Sequence, residues 1–208
     1  MDIDGLWQRW RGRRSPQLTS LIDMDLWINT PGCVLCLGIA HTVDHFLELL
    51  FFENVNDEGF RTEWRQSFGF CPTHTESLIR VGDALGSTIL YLDLLERIEK
   101  YGVPQRKQPC PVCRLATEAY HRYVVALDQY LTHKDVDVQL CWTHLQQINQ
   151  DVKISAKTRR MLVEQQMIRW RGQISQLEQN MSAFKRGVEP EDQVGFWHKV
   201  VIYFADKI

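Results

Sequence analysis

Two CxxC motifs and two CxxH motifs use every cysteine in this chain, and that pattern constrains the fold more than anything else in the sequence. The first copy is Cys33-Val-Leu-Cys36 with Cys71-Pro-Thr-His74; the second is Cys110-Pro-Val-Cys113 with Cys141-Trp-Thr-His144. Each copy supplies three thiols and one imidazole, the ligand set of a closed four-coordinate zinc site. The CxxC pair recurs at one offset. The CxxH pair recurs at an offset shorter by about seven residues, close to two helical turns. An insertion of that size extends a connection without rotating the downstream segment, and it is placed in the 54–70 segment, which contains the turn signal Asn56-Asp57-Glu58-Gly59. Pairing within each copy closes the shorter loops. Cys33, Cys36, Cys71 and His74 are therefore expected to share one ion, and Cys110, Cys113, Cys141 and His144 the other.

The segments between ligands read as helices. Ile39, Val43, Phe46, Leu47 and Leu50 recur at helical spacing after the first CxxC, and Ala116, Tyr120, Val124, Leu127 and Leu131 after the second. Leu78, Val81, Leu85, Leu92 and Leu95 continue such a face after the first CxxH, up to a stop at Gly102 and Pro104. Past His144 come a short helix and then a long one, in which Val163, Met167, Trp170, Ile174, Leu177, Met181 and Phe184 alternate steps of four and three. That stripe is expected to be buried within the chain, with Trp197 close by; a helix-to-helix dimer seam is the alternative. A last helix is expected to start near Pro190-Glu191-Asp192 and to bury Val194, Trp197, Val201 and Phe204. Alternating β-type segments are scarce. The fold class is all-α: duplicated metal-clipped helical hairpins plus C-terminal helices. The organisation read from the motifs is a 1–30 basic extension, repeats at 31–103 and 104–152, and C-terminal helices over 153–208.

Short helical hairpins bury little apolar area against their conformational entropy, so a metal clip has a physical task. Six cysteines with no secretory signal point to reduced thiols rather than disulfides and to a cytoplasmic location. The apolar stretch Phe46–Phe52 is too short to span a bilayer and carries Glu48, so no membrane span is expected. Near-neutral net charge, formally −2, argues against a strongly nucleic-acid-like chain. Arg11, Arg13 and Arg14, interleaved with Trp7 and Trp10, and the set Arg159, Arg160, Arg169 and Arg171 are the basic exceptions.

Thiolates also hold iron–sulfur clusters, in which His can replace Cys, so an electron-transfer or sensing protein is the first alternative. A redox reading of Cys110–Cys113 lacks the surrounding βαβ pattern. His41, His45 and Glu48, with Glu118 and His121 on the equivalent helix, have the spacing of a bundle metal centre, which makes a helical metalloenzyme a further alternative. A polar helix face is the plainer account of them. No Ser-His-Asp set, phosphate loop or nucleotide fingerprint is apparent, and no catalytic residue is assigned.

Phe70-Cys71-Pro-Thr-His74 and Leu140-Cys141-Trp-Thr-His144, together with Ala183-Phe184-Lys185-Arg186, Glu191-Asp192 and Trp197, resemble uncharacterised bacterial helical proteins with paired CxxC and CxxH motifs. The resemblance covers the chain after about Thr30. It implies metal binding and a helical repeat and supplies no catalytic activity. The expectation is a cytoplasmic, zinc-stabilised helical protein with two structural ions that works through protein partners, with nucleic acid and a homodimer as further possibilities.

Overall fold

The computed structural model describes residues 24–185 apart from 104 and 106. The described residues are all-α, with no strand among them. A helical turn at 24–28 precedes α1 (Val34–Leu49), which passes into a π-helical turn, Leu50–Asn54. Next come α2 (Glu58–Ser67), α3 (Pro72–Val81), α4 (Ala84–Tyr101), α5 (Pro111–His133), α6 (Trp142–Gln150) and α7 (Ala156–Lys185). The expected final helix, Trp197 and the basic N-terminal run lie outside the described residues.

The described residues gather into two compact units that interleave along the chain, one built on 38–122 and the other on 24–37 with 123–185. The first is centred on Trp64 of α2, which is fully buried. Val43, Phe46 and Leu47 of α1 and Leu50 of the π-helical turn form the expected apolar face and join Phe60, Leu78, Leu90, Leu94, Val112 and Leu115 around it. The Trp64 indole N–H donates to the Leu90 carbonyl at 3.0 Å, and its ring meets Phe70 and Tyr91 edge-on. Arg65 grips Asp93 of α4 through two hydrogen bonds, and Arg114 of α5 pairs with the buried Glu63.

Helix α2 occupies the segment expected to be an insertion around a turn. The turn signal is its start: the Asp57 carboxylate accepts from the Phe60 N–H at 2.8 Å, capping the helix. It ends on two left-handed residues, Phe68 and Gly69, and a Cβ at Gly69 would crowd Leu94 and Trp64 at 3.3–3.4 Å. The stretch expected as one helix from Leu78 to Tyr101 is two. Gly82 caps α3 in the left-handed region and the Asp83 carboxylate caps α4 by accepting from the Gly86 N–H. On α4 the buried residues are Gly86, Leu90, Asp93 and Leu94, whereas Leu85, Leu92 and Leu95 are exposed. Gly86 sits there because a Cβ would collide with Phe51.

In the second unit, Met24, Trp27, Val34 and Leu35 are buried, as are Val124 and Leu127 of α5, Leu145 and Ile148 of α6, and Leu162 of α7. Asp25 accepts from the Tyr130 hydroxyl and the Lys134 ammonium. The structure corrects the expected α7 stripe. The buried positions of this helix are Thr158, Leu162, Gln166 and Trp170, and of the predicted set only Trp170 is among them. Val163 and Leu177 are half-buried, Met167, Ile174 and Met181 are exposed, and the Phe184 side chain lies outside the described set.

Val34–Phe52 is long and apolar enough to cross a membrane, with a mean hydropathy of 1.5, contrary to the shorter apolar stretch read from the sequence. Half of that window is buried, and its inward residues are the core positions of α1.

Candidate metal centres

All four motifs take the same place in local structure. Cys33, Cys71, Cys110 and Cys141 each stand immediately before a helix, and Cys36, His74, Cys113 and His144 each fall in its first turn. The first ligand's carbonyl accepts the opening helical hydrogen bond in every case: Leu37 to Cys33, Thr75 to Cys71, Arg114 to Cys110, Leu145 to Cys141, at 2.9–3.3 Å. This placement suits thiolates, because the free N–H groups and positive end of a helix stabilise negative charge. The His144 N–H points at the Cys141 sulfur at 3.5 Å. Pro72 and Pro111 occupy first helical positions, where a missing N–H costs nothing.

Ligand atoms converge in two groups, each within 4.8 Å: Cys33, Cys36, Cys141 and His144, and Cys71, His74, Cys110 and Cys113. In the first, His144 Nδ1 lies 3.3, 3.2 and 3.2 Å from the sulfurs of Cys33, Cys36 and Cys141, and the Cys36 and Cys141 sulfurs are 3.7 Å apart. In the second, His74 Nδ1 lies 3.2, 3.7 and 3.4 Å from Cys71, Cys110 and Cys113, with Cys71 and Cys113 sulfurs 3.6 Å apart. A tetrahedral ion with bonds of about 2.3 Å to sulfur and about 2.0 Å to nitrogen sets its ligands roughly 3.5–3.8 Å apart. The two groups match that spacing.

The structure brings the eight expected residues together in two groups, but the pairing within each copy is overturned: each CxxC meets the CxxH of the other copy. Helix α5 runs on about 20 residues past Cys113, roughly 30 Å, so pairing within the copy would need the segment after it to run straight back in nearly full extension. Cys141 instead joins Cys33 and Cys36. All six cysteines are free thiols, with no disulfide among them.

Packing three thiols around an imidazole sets their protonation. The Cys141 thiol is pulled down by hydrogen bonds from Cys33 and Cys36, while Cys36 is pushed up by its bonds to Cys141 and Cys33 and by burial. Burial, then Cys71 and Cys110, push Cys113 up to about 12. Burial pulls His144 down, but the Cys141 and Cys33 sulfurs outweigh it and raise it to about 9, whereas burial alone lowers His74. Repulsion of this kind between thiolates is what a divalent cation relieves.

Residues beyond the ligands hold the motifs in place. The Val34 N–H donates to the Gln139 carbonyl at 3.0 Å, tying the two motifs of one site together. Gln165 of α7 donates to the Val136 carbonyl and accepts from the Val138 N–H. Gln166 donates to the Val138 carbonyl and accepts from the Leu140 N–H. Two adjacent side-chain amides thus satisfy the extended backbone that leads into Cys141. At the other site the Lys107 and Gln108 N–H groups share the Gln66 carbonyl, at 2.9 and 3.3 Å. Hydrophobic spacing does not reveal these glutamines, which stand among many other polar residues along α7.

Among the described residues, neither ligand group includes His41, His45, Glu48, Glu118 or His121. The His41 and His45 rings stack at 6.3 Å on an exposed face, with Glu48 3.9 Å from His45. Of the second basic set, Arg169 pairs with Asp137 and Arg159 donates to the Asn149 carbonyl at 3.2 Å. Arg160 lines an open cleft with Val163 and Glu164.

The chain is similar to an uncharacterized 23.9 kDa protein in the xynA 3' region of Caldicellulosiruptor sp. (strain Rt8B.4), 26% identical over 142 residues. The match spans 60% of this chain and 70% of that bacterial protein. No family model and no solved structure matches.

Proposed function

We propose that the chain is a zinc-stabilised helical interaction protein, cytoplasmic and without a membrane span, in which two Cys3His ions have a structural role. The observation that carries this reading is the pair of ligand groups at single-ion spacing, each built from two helix N-termini. Four protein ligands leave no open position for water or substrate. Three thiolates with one imidazole favour zinc over harder cations. Ligands of an iron–sulfur cluster bind different irons and so stand further apart than ligands of one ion, which makes that alternative the weaker one. The inward face of Val34–Phe52 supports its reading as a core helix rather than a bilayer span. Elemental analysis with an absorption spectrum tests the reading: two zinc per chain and no visible band are expected. Iron with a visible band would replace it.

A further inference from the structure

Helix α7 leaves its own unit's core partway along. Beyond Trp170 none of its described side chains is buried, yet its apolar pattern continues. Met167, Trp170, Ile174, Leu177 and Met181 alternate steps of three and four, with Met167 41%, Ile174 48% and Met181 60% exposed. That is the spacing of a two-helix seam. The flanking residues select the occupant. On one flank Glu164, Arg171, Glu178 and Lys185 recur one heptad apart and alternate in sign; on the other stand Gln166, Gln173 and Asn180, all uncharged. Glu164, Arg171 and Glu178 are exposed, whereas Gln166 is buried and bonded to the backbone of its own unit. A parallel pair would set the charged flank against the uncharged one and form no ion pairs. An antiparallel pair sets the charged flank against itself, and the alternation of sign makes it self-complementary.

We propose that α7 is a self-association surface that pairs antiparallel with α7 of a second copy about a two-fold axis. Arg171 then lies opposite Glu178 of the second copy, and Glu178 opposite its Arg171. In the same register Ile174 faces Leu177, so one shift aligns both the charges and an apolar layer. This names one partner for the interaction protein proposed above. It rests on that reading only in treating the exposed face as a contact surface.

Sedimentation equilibrium of the full, metal-loaded chain tests it. A dimer is expected, with Arg171→Glu and Glu178→Arg each weakening association at least tenfold at low salt and the double variant restoring it. A parallel seam would be indifferent to all three. Ile174→Lys should give a folded monomer that keeps its metal. A chain that is monomeric at every concentration overturns the proposal, and protection of the stripe by the chain's own 190–204 segment would be the replacement. So does a dimer insensitive to Arg171→Glu. Either result with two metal ions still bound leaves the metal-clip reading standing; a dimer lacking metal sinks that reading and not this one.

Discussion

Substituting Cys141 by serine is the sharpest test of the crossed ligation. Cys141 shares its group with Cys33 and Cys36, more than a hundred residues away in the chain, and not with Cys113. The variant should bind about one ion instead of two. The thiols released to alkylation should be Cys33 and Cys36, while Cys71, Cys110 and Cys113 stay protected. For the stability effect, an ion present at a thousandfold excess over its dissociation constant contributes about 4 kcal/mol. At roughly 2–4 °C per kcal/mol for a chain of this size, the melting temperature should fall by about 10 °C. Metal analysis, alkylation mapped by mass spectrometry and a thermal melt under reducing conditions read all three quantities. Alkylation of Cys110 and Cys113 with Cys33 and Cys36 protected would refute the pairing. An unchanged melting point after loss of the ion would refute the structural role.

Gln166→Ala should cost about 2–3 kcal/mol, because it strands the Val138 carbonyl and Leu140 N–H. Chelator competition should find the ion at Cys141 weakened and the other unchanged; equal effects at both would count against it. Trp64→Ala should cost about 3–5 kcal/mol in a melt, since a fully buried indole and its bond to Leu90 are lost together. Asp93→Ala should cost about 2 kcal/mol, between exposed and buried ion pairs, and Arg65→Ala with it should add little more, which a double-mutant cycle measures. Metal affinity should fall as pH falls. His144 raised to about 9 and Cys113 to about 12 hold protons in the metal-free protein at neutral pH, so binding must release them, and each released proton weakens affinity about tenfold per unit of acidification. Competition titrations between pH 8 and 6 with a slope near zero would contradict this.

The helical class and the residues that cluster were legible because both are written locally. Thiol and imidazole chemistry, three-residue spacing and the inward face Val43, Phe46, Leu47 and Leu50 need no knowledge of distant segments. The pairing was not legible from loop entropy. Crossing the motifs closes a loop about three times the Cys36–Cys71 separation, which costs only about 1 kcal/mol, far less than an ion contributes. Where the long helix α5 delivers Cys141 is a matter of tertiary arrangement that motif spacing does not state, and the end of that helix is read from signals that are weakest at helix termini. The inward faces of α4 and α7 were missed for another reason. They include Gly86, Asp93, Thr158 and Gln166, which hydrophobic periodicity discards. Each is inside because of a specific partner: Phe51 against Gly86, Arg65 on Asp93, Ser155 on Thr158, the backbone of Leu140 on Gln166. Leu85, Leu92 and Leu95 of α4 and Met167, Ile174 and Met181 of α7 keep helical spacing on the outside.

Crossed pairing changes what the recurrence of the motifs means physically. With ligation inside each copy, a cut after Val103 would yield two fragments, each able to bind its own ion. With the observed grouping the same cut leaves each fragment half of both sites: Cys33–Cys36 and Cys71–His74 on one side, Cys110–Cys113 and Cys141–His144 on the other. Neither half can complete a four-coordinate site from its own motifs in the native arrangement. The loop between His74 and Cys110 is also nested inside the one between Cys36 and Cys141. Closing the inner loop shortens the outer one, so the entropic cost of the second clip falls once the first is in place. With an ion in each group, the nesting should make their binding cooperative through chain connectivity alone, so removing one ion should weaken the other in a chelator titration, and independent sites would contradict it.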